Sequence, residues 1–166
     1  MIYDVSVRSM PMAAVIDLKG DTRDVVTRLQ RLGLGMPAPG RVVVAGAVEV
    51  LRAGREHWLV RAPLADEDQL LATLREGGAA ADTLILAVSD AYAFFDIAGP
   101  HARQIMAIAS PLAVDPGVFA RDSASFTEAF GQKALVLRRE TGFEIGFERS
   151  YAPMAADYFS RINGGL

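Results

Sequence analysis

The chain has 166 residues, of which 51% are hydrophobic and 22% are charged, and it carries a net charge of −3. This composition predicts a folded chain of ordinary domain size and excludes an intrinsically disordered one, because enough apolar surface is available to offset chain entropy. The arginines are scattered among acidic residues, which excludes a nucleic-acid surface built on clustered positive charge.

The first half of the chain alternates strand and helix patterns. Asp21 is placed to cap a helix that Gly33 ends. Asp66 and Gln69 form a capping-box pattern for a second helix, which ends at Gly77. The predicted elements are a strand over 12–18, a helix over 22–32, strands over 41–51 and 57–61, a helix from 66, and a strand over 83–88. Their order, βαββαβ, is ferredoxin-like.

The second half predicts the order βαβββα and follows the first without a linker. Its elements are a strand over 92–97, a helix that begins at Gly99-Pro100, strands over 125–130, 133–138 and 143–147, and a helix capped by Ser150. The two halves together predict a single α+β domain over residues 1–166.

The last strand and the last helix carry the clearest burial patterns. Phe143, Ile145 and Phe147 alternate with polar residues, so this strand is expected to have one buried face and one solvated face. The helix has an apolar stripe that is expected to lie on the sheet, formed by Tyr151, Met154, Tyr158 and Ile162.

The residues that carry metal and thiol chemistry are scarce. There is no cysteine, which excludes disulfides, thiolate catalysis and cysteine-ligated metal clusters. The two histidines, His57 and His101, have no ligand spacing around them, so both are interpreted as surface or packing residues and no metal site is predicted. The lack of cysteine, of a signal peptide and of an apolar run of about 20 residues predicts a cytoplasmic protein outside the membrane.

Catalytic and nucleotide-binding motifs are also missing. No serine is flanked by glycines as in a nucleophile elbow. Gly33-Leu34-Gly35 follows a helix and not a strand, so it is not the phosphate-binding turn of a dinucleotide fold. Trp58, Tyr92 and Phe94 are interpreted as core aromatics of strands, with an exposed aromatic patch as the alternative.

Two groups of carboxylates are candidates for acid–base pairs. Asp66, Glu67 and Asp68 stand at a helix start, where acids interact favourably with the helix dipole. Glu144 and Glu148 share the predicted solvated face of the last strand, where solvation explains them and a contact with another subunit stays open. No catalytic, cofactor-binding or metal-binding residue is predicted in this chain.

Six phrases in order resemble a known family. They are EHWLVRAP at 56–63, VSD at 88–90, DIAGPHAR at 96–103, SPLAVDPGVF at 110–119, FEI at 143–145 and RSYA at 149–152. In this order and at these intervals they resemble the gamma subunit of heterotetrameric sarcosine oxidase, over most of the chain from about Pro11 to the final helix. The resemblance implies a domain similar to the folate-binding aminomethyltransferases of glycine cleavage.

The resemblance implies a role inside a complex. In that family, an alpha subunit carries the NAD and tetrahydrofolate sites, a beta subunit carries the flavins FAD and FMN, and a small delta subunit binds zinc. The gamma chain holds no cofactor. The complex oxidises sarcosine to glycine with formation of hydrogen peroxide, and the methyl carbon passes to tetrahydrofolate or leaves as formaldehyde. The expected function is therefore that of a non-catalytic structural subunit.

Two departures from the family pattern bear on the alternatives. Ala87 and Ala113 stand where relatives frequently have aspartate, and a buried acid is the kind of group that would hold a pterin ring. These losses count against the second hypothesis, a free-standing folate-binding or aminomethyltransferase-like enzyme. A third, the related fold that serves iron–sulfur protein maintenance, needs a cysteine motif that this chain lacks.

Overall fold

The computed structural model describes residues 3–78 and 82–164, and all structural statements below concern these residues. Met1 and Ile2 belong to the N-terminal segment in which no signal peptide is predicted, and they lie outside the described residues. The strands are β1 (Ser6–Ser9), β2 (Ala13–Lys19), β3 (Val42–Ala45), β4 (Val48–Gly54), β5 (His57–Pro63), β6 (Leu84–Ala87), β7 (Tyr92–Ala98), β8 (Ala124–Ala129), β9 (Gln132–Arg138) and β10 (Gly142–Glu148). The helices are α1 (Thr22–Arg31), α2 (Glu67–Arg75), α3 (Ala102–Ala109) and α4 (Ala152–Gly164).

The described residues form two compact units. The first unit spans Met12–Asp90, and the second comprises the described residues on either side of it. Each unit has its own sheet and its own apolar core. That the two units make up a single domain over 1–166 stays a prediction.

The first unit contains an antiparallel sheet in the order β3-β4-β5-β2-β6. Helices α1 and α2 pack on one face of it. Without β3, the spatial order of the strands is β4-β5-β2-β6. When these four strands are numbered along the chain, the order is 2-3-1-4, which is the ferredoxin-like arrangement that the sequence predicts. The core between the helices and the sheet includes Ile16, Leu18, Val25, Leu29, Trp58, Val60, Leu70 and Leu74.

The valine-rich segment 41–51 is not one strand, as predicted, but a hairpin. β3 and β4 pair antiparallel from Val42 opposite Leu51 to Ala45 opposite Val48. Gly46 makes the turn with φ of +60°, a left-handed conformation that glycine adopts without steric cost. Small apolar residues surround this glycine, so the hydrophobic pattern runs through the turn without a break.

The second unit contains an antiparallel sheet in the order β1-β7-β10-β9-β8, and from β7 onward its elements follow the predicted order βαβββα. α3 and α4 contribute to its core, which includes Phe95, Ile97, Ile105, Met106, Phe143, Ile145, Phe147 and Phe159. The additional strand β1 was not predicted. It pairs with β7, with Val7 opposite Ile97.

The prediction of a solvated face on the last strand is wrong. Every residue of β10 except Glu148 is buried, and Glu144 is only 4% exposed. Phe143, Ile145 and Phe147 do face the core, as the alternation indicates. Glu144 on the other face is held by an arginine, so its burial does not leave a carboxylate without a counter-charge.

Three helix starts differ from the predicted caps. Asp66 makes no capping bond, because a 3₁₀ turn over Leu64–Asp66 leads into α2. α3 begins at Ala102, two residues after the predicted Pro100. Ser150 lies inside a 3₁₀ turn before α4. In contrast, the predicted cap at Asp21 is confirmed, since its carboxylate accepts a 2.9 Å hydrogen bond from the backbone N–H of Arg23.

The apolar stripe of α4 is also displaced from its prediction. Ala155 and Phe159 are buried in the core, and Ile162 packs against it. Tyr151 and Tyr158 are instead 37% and 44% exposed. α4 begins at Ala152, after a 3₁₀ turn. Its core-facing side therefore includes Ala152 and Phe159, each one residue after a predicted tyrosine. No helix within residues 3–78 and 82–164 is long and apolar enough to cross a membrane.

Candidate functional site

Each of the two histidines makes a short polar contact within its own unit, His57 with a side chain and His101 with the backbone. His57 Nε2 lies 2.5 Å from Asp17 Oδ1, and Lys19 Nζ lies 3.0 Å from the other oxygen of this carboxylate. His101 Nδ1 accepts a 2.7 Å hydrogen bond from the backbone N–H of Asp4. Each ring therefore has a partner that fixes it. In the described part of the chain, no three metal-ligating side chains come together.

The acidic cluster at the start of α2 separates on folding. Asp66 and Asp68 are exposed, whereas Glu67 is half-buried and accepts a hydrogen bond from Ser89 Oγ. Ser89 Oγ also accepts a 2.8 Å bond from the backbone N–H of Val15. The Ser89 hydroxyl, in the turn after β6, therefore links β2 to α2. Because Ser89 is only 7% exposed, this hydroxyl is not presented to solvent as a nucleophile would be.

This contact between Ser89 and Glu67 was not predicted from the sequence. The two residues are 22 positions apart. They belong to different elements, and neither motif nor periodicity connects them. The one sequence signal at this place is the phrase Val88-Ser89-Asp90, which is part of the family resemblance.

The two alanines that depart from the family pattern lie in different surroundings. Ala87 ends β6 and packs against the apolar core of the first unit, so an aspartate at this position would place a carboxylate beside apolar side chains. Ala113 lines an open cavity of about 520 Å³ in the second unit, between α3 and the segment Ser110–Asp115.

Each unit contains an ion pair between an arginine and a largely buried carboxylate of its sheet. In the first, Arg61 Nη1 donates a 2.7 Å bond to Glu49 Oε1, and these side chains are 7% and 14% exposed. In the second, Arg139 donates two bonds to Glu144 Oε2, 2.8 Å from Nε and 2.6 Å from Nη2. A buried carboxylate with a hydrogen-bonded arginine is stable as an ion, which explains how Glu144 is accommodated inside the protein.

The strand aromatics are mainly internal. Trp58 is 1% exposed and Phe94 is 4% exposed, while the half-buried Tyr92 stacks on Phe94 with a ring separation of 5.9 Å. Among residues 3–78 and 82–164, no atom accepts a hydrogen bond from the indole Nε1 of Trp58. The interpretation of these residues as core aromatics agrees with their burial.

Apolar side chains are nevertheless exposed at several places. On the edge strand β6, Leu84 and Leu86 are 47% and 48% exposed, and both point away from the core of the first unit. In the second unit Ile108 on α3 is 52% exposed, and Val118 in the following segment is 74% exposed. Single exposed apolar residues are normal on protein surfaces, so these positions by themselves define no interface.

The two antiparallel sheets with few helices define a mixed α+β protein, and comparison with solved structures shows that its fold matches the folate-binding aminomethyltransferase-like fold. A chain of the heterotetrameric sarcosine oxidase from Corynebacterium sp. U-96, solved in complex with pyrrole 2-carboxylate, matches with a TM-score of 0.84 and 22% identity. The match covers 98% of this chain and 87% of that one.

Two further solved structures are similar. The glycine cleavage system aminomethyltransferase T from Bartonella henselae matches with a TM-score of 0.72 and 14% identity, over 96% of this chain. The present chain spans 46% of that enzyme's length. The ligand-free regulatory subunit of aspartate kinase from Thermus thermophilus matches with a TM-score of 0.51 and 14% identity, over 98% of this chain and 99% of that one. No protein-family model matches the sequence, and no curated protein does either.

Proposed function

We propose that this chain is a non-catalytic structural subunit, gamma-like, of a sarcosine oxidase-like complex. Its partners are an alpha subunit with the NAD and tetrahydrofolate sites, a beta subunit with FAD and FMN, and a delta subunit. The complex carries out the oxidative demethylation of sarcosine to glycine, forms hydrogen peroxide and transfers the one-carbon unit to tetrahydrofolate. The predicted cytoplasmic location belongs to the same proposal.

The observation that carries the proposal is the extent of the structural match. The chain aligns along almost its whole length with most of one chain of a heterotetrameric sarcosine oxidase. It aligns with less than half of the aminomethyltransferase. A subunit that works within an assembly is thus a better fit than an enzyme whose fold extends over twice this length.

The surroundings of the polar residues support the absence of catalysis in this chain. Ser89, whose hydroxyl bonds the carboxylate of Glu67, is buried and also accepts a hydrogen bond from the backbone N–H of Val15. His101 is fixed by the backbone of Asp4, and His57 by Asp17. His101 Nδ1 and the Ser89 hydroxyl oxygen are therefore engaged with backbone N–H groups, and accepting a proton at either atom would break that bond.

The test uses the assembled complex and conservative variants of this chain. His57→Gln, His101→Gln and Glu67→Gln are each co-expressed with the alpha, beta and delta chains, and sarcosine-dependent hydrogen peroxide formation is measured. The proposal predicts kcat within about twofold of the unsubstituted complex, because loss of a general acid or base costs about 10²-fold or more. A loss of that size in an intact complex of unchanged composition would contradict it.

The alternative is a free-standing folate-binding or aminomethyltransferase-like protein, favoured by the match to the aminomethyltransferase fold. Titration of the purified chain with tetrahydrofolate separates the two functions. The subunit proposal predicts no micromolar binding, whereas the alternative requires it. Ala87→Asp is a useful second titrant, since a gain of folate affinity on restoring this carboxylate would favour the alternative.

A further inference from the structure

An open cavity in the second unit has a mixed polar and apolar lining. Its volume is about 520 Å³, within the range of about 300–1,000 Å³ in which small ligands usually bind. Arg103 and Gln104 on α3 provide its polar side, and Pro111, Leu112 and Val114 provide an apolar wall. The proposed subunit function assigns no role to any of these residues.

A second arginine, Arg138, lies within electrostatic range of Arg103 but does not line the cavity. Arg103 lies in the first turn of α3, and Arg138 ends β9 with its guanidinium carbon 4.5 Å from the centre of the Phe143 ring. Arg138 Nη1 also donates a 3.2 Å bond to the backbone carbonyl of Gly142. The pKa of Arg138 lies below its ordinary value, first because of burial and then because of the positive charge of Arg103. The two cations are therefore close enough to repel one another.

Asp115 is the carboxylate in the cavity lining. Its Oδ1 lies 3.4 Å from Arg103 Nη1, and the two side chains are 77% and 50% exposed. An exposed pair at this distance contributes little to stability, so another anion can replace Asp115 as the partner of Arg103. Arg103 is therefore the cation of the cavity lining, and its carboxylate partner there is weakly held.

We propose that this cavity binds a small organic oxyanion, a carboxylate or a phosphate ester, with Arg103 as its direct partner and Arg138 as a second positive charge. The planar guanidinium of Arg103 matches the geometry of either group. The apolar wall formed by Pro111, Leu112 and Val114 receives the carbon skeleton of the ligand. Asp115 competes with the ligand for Arg103.

The test is a calorimetric titration of the full chain at constant ionic strength with phenyl phosphate, benzoate and inorganic phosphate. Binding of phenyl phosphate or benzoate with Kd of about 1 mM or lower is expected. Which of the two binds more tightly identifies the preferred oxyanion. Inorganic phosphate lacks the apolar part, so it should bind at least about tenfold more weakly than phenyl phosphate.

Three variants test the site, and one control separates it from a nonspecific charge effect, because the control removes a positive charge outside the cavity lining. Arg103→Gln should weaken binding about tenfold or more, and Arg138→Gln about threefold, whereas Asp115→Asn should tighten it. Arg121→Gln removes an arginine of the same unit whose side chain is 64% exposed, and should change nothing. Arg103 is half exposed, so Arg103→Gln is expected to fold as the parent does, which circular dichroism checks.

The inference fails if neither organic anion binds at 10 mM, a concentration about tenfold above the expected Kd. It also fails if Arg103→Gln binds as tightly as the parent, if Asp115→Asn binds more weakly, or if inorganic phosphate binds as tightly as phenyl phosphate. Because the titration uses the chain by itself, its result is independent of whether the chain assembles with partner subunits.

Discussion

Arg28 holds Asp24 one helical turn away and, with the same guanidinium, reaches the end of the next helix. Its Nε donates a 2.7 Å hydrogen bond to Asp24 Oδ2, and its Nη2 donates a 3.0 Å bond to the carbonyl of Gly78. Its Nη1 donates to the carbonyl of Leu74. The arginine side chain is only 3% exposed. It therefore satisfies the carbonyl of Leu74 in the last turn of α2, where carbonyls lack partners within their own helix, and the carbonyl of Gly78 just after that helix.

Replacing this arginine should strongly destabilise the first unit. Arg28→Met keeps most of the side-chain volume but removes the donors, so Asp24 loses its counter-charge and the carbonyls of Leu74 and Gly78 lose their donor. We expect a cost of about 3 kcal/mol in the free energy of unfolding, as for one partner lost from a buried pair. Urea denaturation measures it. Arg23→Met, an exposed position on the same helix, is the control and should cost less than about 0.5 kcal/mol.

The same pair predicts a dependence of stability on pH. The hydrogen bond from Arg28, helped by one from Thr83, lowers the pKa of Asp24 below its ordinary value of 3.8. A carboxyl group with a lowered pKa in the folded state contributes stability above its unfolded pKa, and this is lost as pH falls through the folded pKa. The difference in unfolding free energy between the parent and Asp24→Asn should thus be present at pH 7 and shrink at acid pH. A difference that stays constant down to pH 2 would contradict this.

The buried pair of Arg139 and Glu144 should show strong coupling. Removing the arginine alone leaves a carboxylate that is 5% exposed without this counter-charge, so Arg139→Met should cost about 3 kcal/mol. Glu144→Gln in the Arg139→Met background should recover part of that loss. A double-mutant cycle from urea denaturation gives the coupling energy.

The control for this cycle is the exposed pair of Arg161 and Asp157 on α4, with side chains that are 65% and 57% exposed. Its coupling should not exceed about 0.5 kcal/mol. Equal coupling energies for the two pairs would show that Glu144 is not buried as described.

The packing of β10 against β7 depends on a glycine. A Cβ atom on Gly142 would overlap the backbone carbonyl oxygen of Ile97, and the backbone of a central strand pair cannot move aside as a side chain can. Gly142→Ala is expected to destabilise the protein by about 3 kcal/mol, at the upper end of overpacking costs. Gly117→Ala is the matched control, because a Cβ there meets open space. A thermal unfolding midpoint equal in both variants would contradict the pairing of β7 with β10.

The strands and helices that could be predicted are those whose burial follows a regular period. Alternation in β2 and β10 and the helical spacing in α1 determine which side chains meet the core, and this local information predicts the element order of both halves. β1 could not be found, because Ser6–Ser9 has only Val7 as an apolar residue and is held by pairing with β7, a partner about 90 residues later.

The contacts of the candidate site could not be predicted from the sequence, because they join residues of separate elements. Periodicity predicts a solvated Glu144, but the outcome depends on Arg139, which reaches it from outside the strand. The bond between Ser89 and Glu67 likewise joins separate elements. The sequence interpretation of His57 and His101 as surface or packing residues rests on the absence of ligand spacing. The structure adds the partners of these rings, Asp17 for His57 and the backbone of Asp4 for His101, which no sequence pattern indicates.

The most direct test of the subunit proposal is the mass of the assembly that contains this chain. The tagged chain is co-expressed with the alpha, beta and delta chains of the complex, and the affinity-purified material is analysed by size exclusion with light scattering. The proposal predicts one species that contains all four chains and an interface that survives dilution to nanomolar concentration. Elution of this chain alone at its own 17.8 kDa, while the other subunits assemble without it, would contradict the proposal.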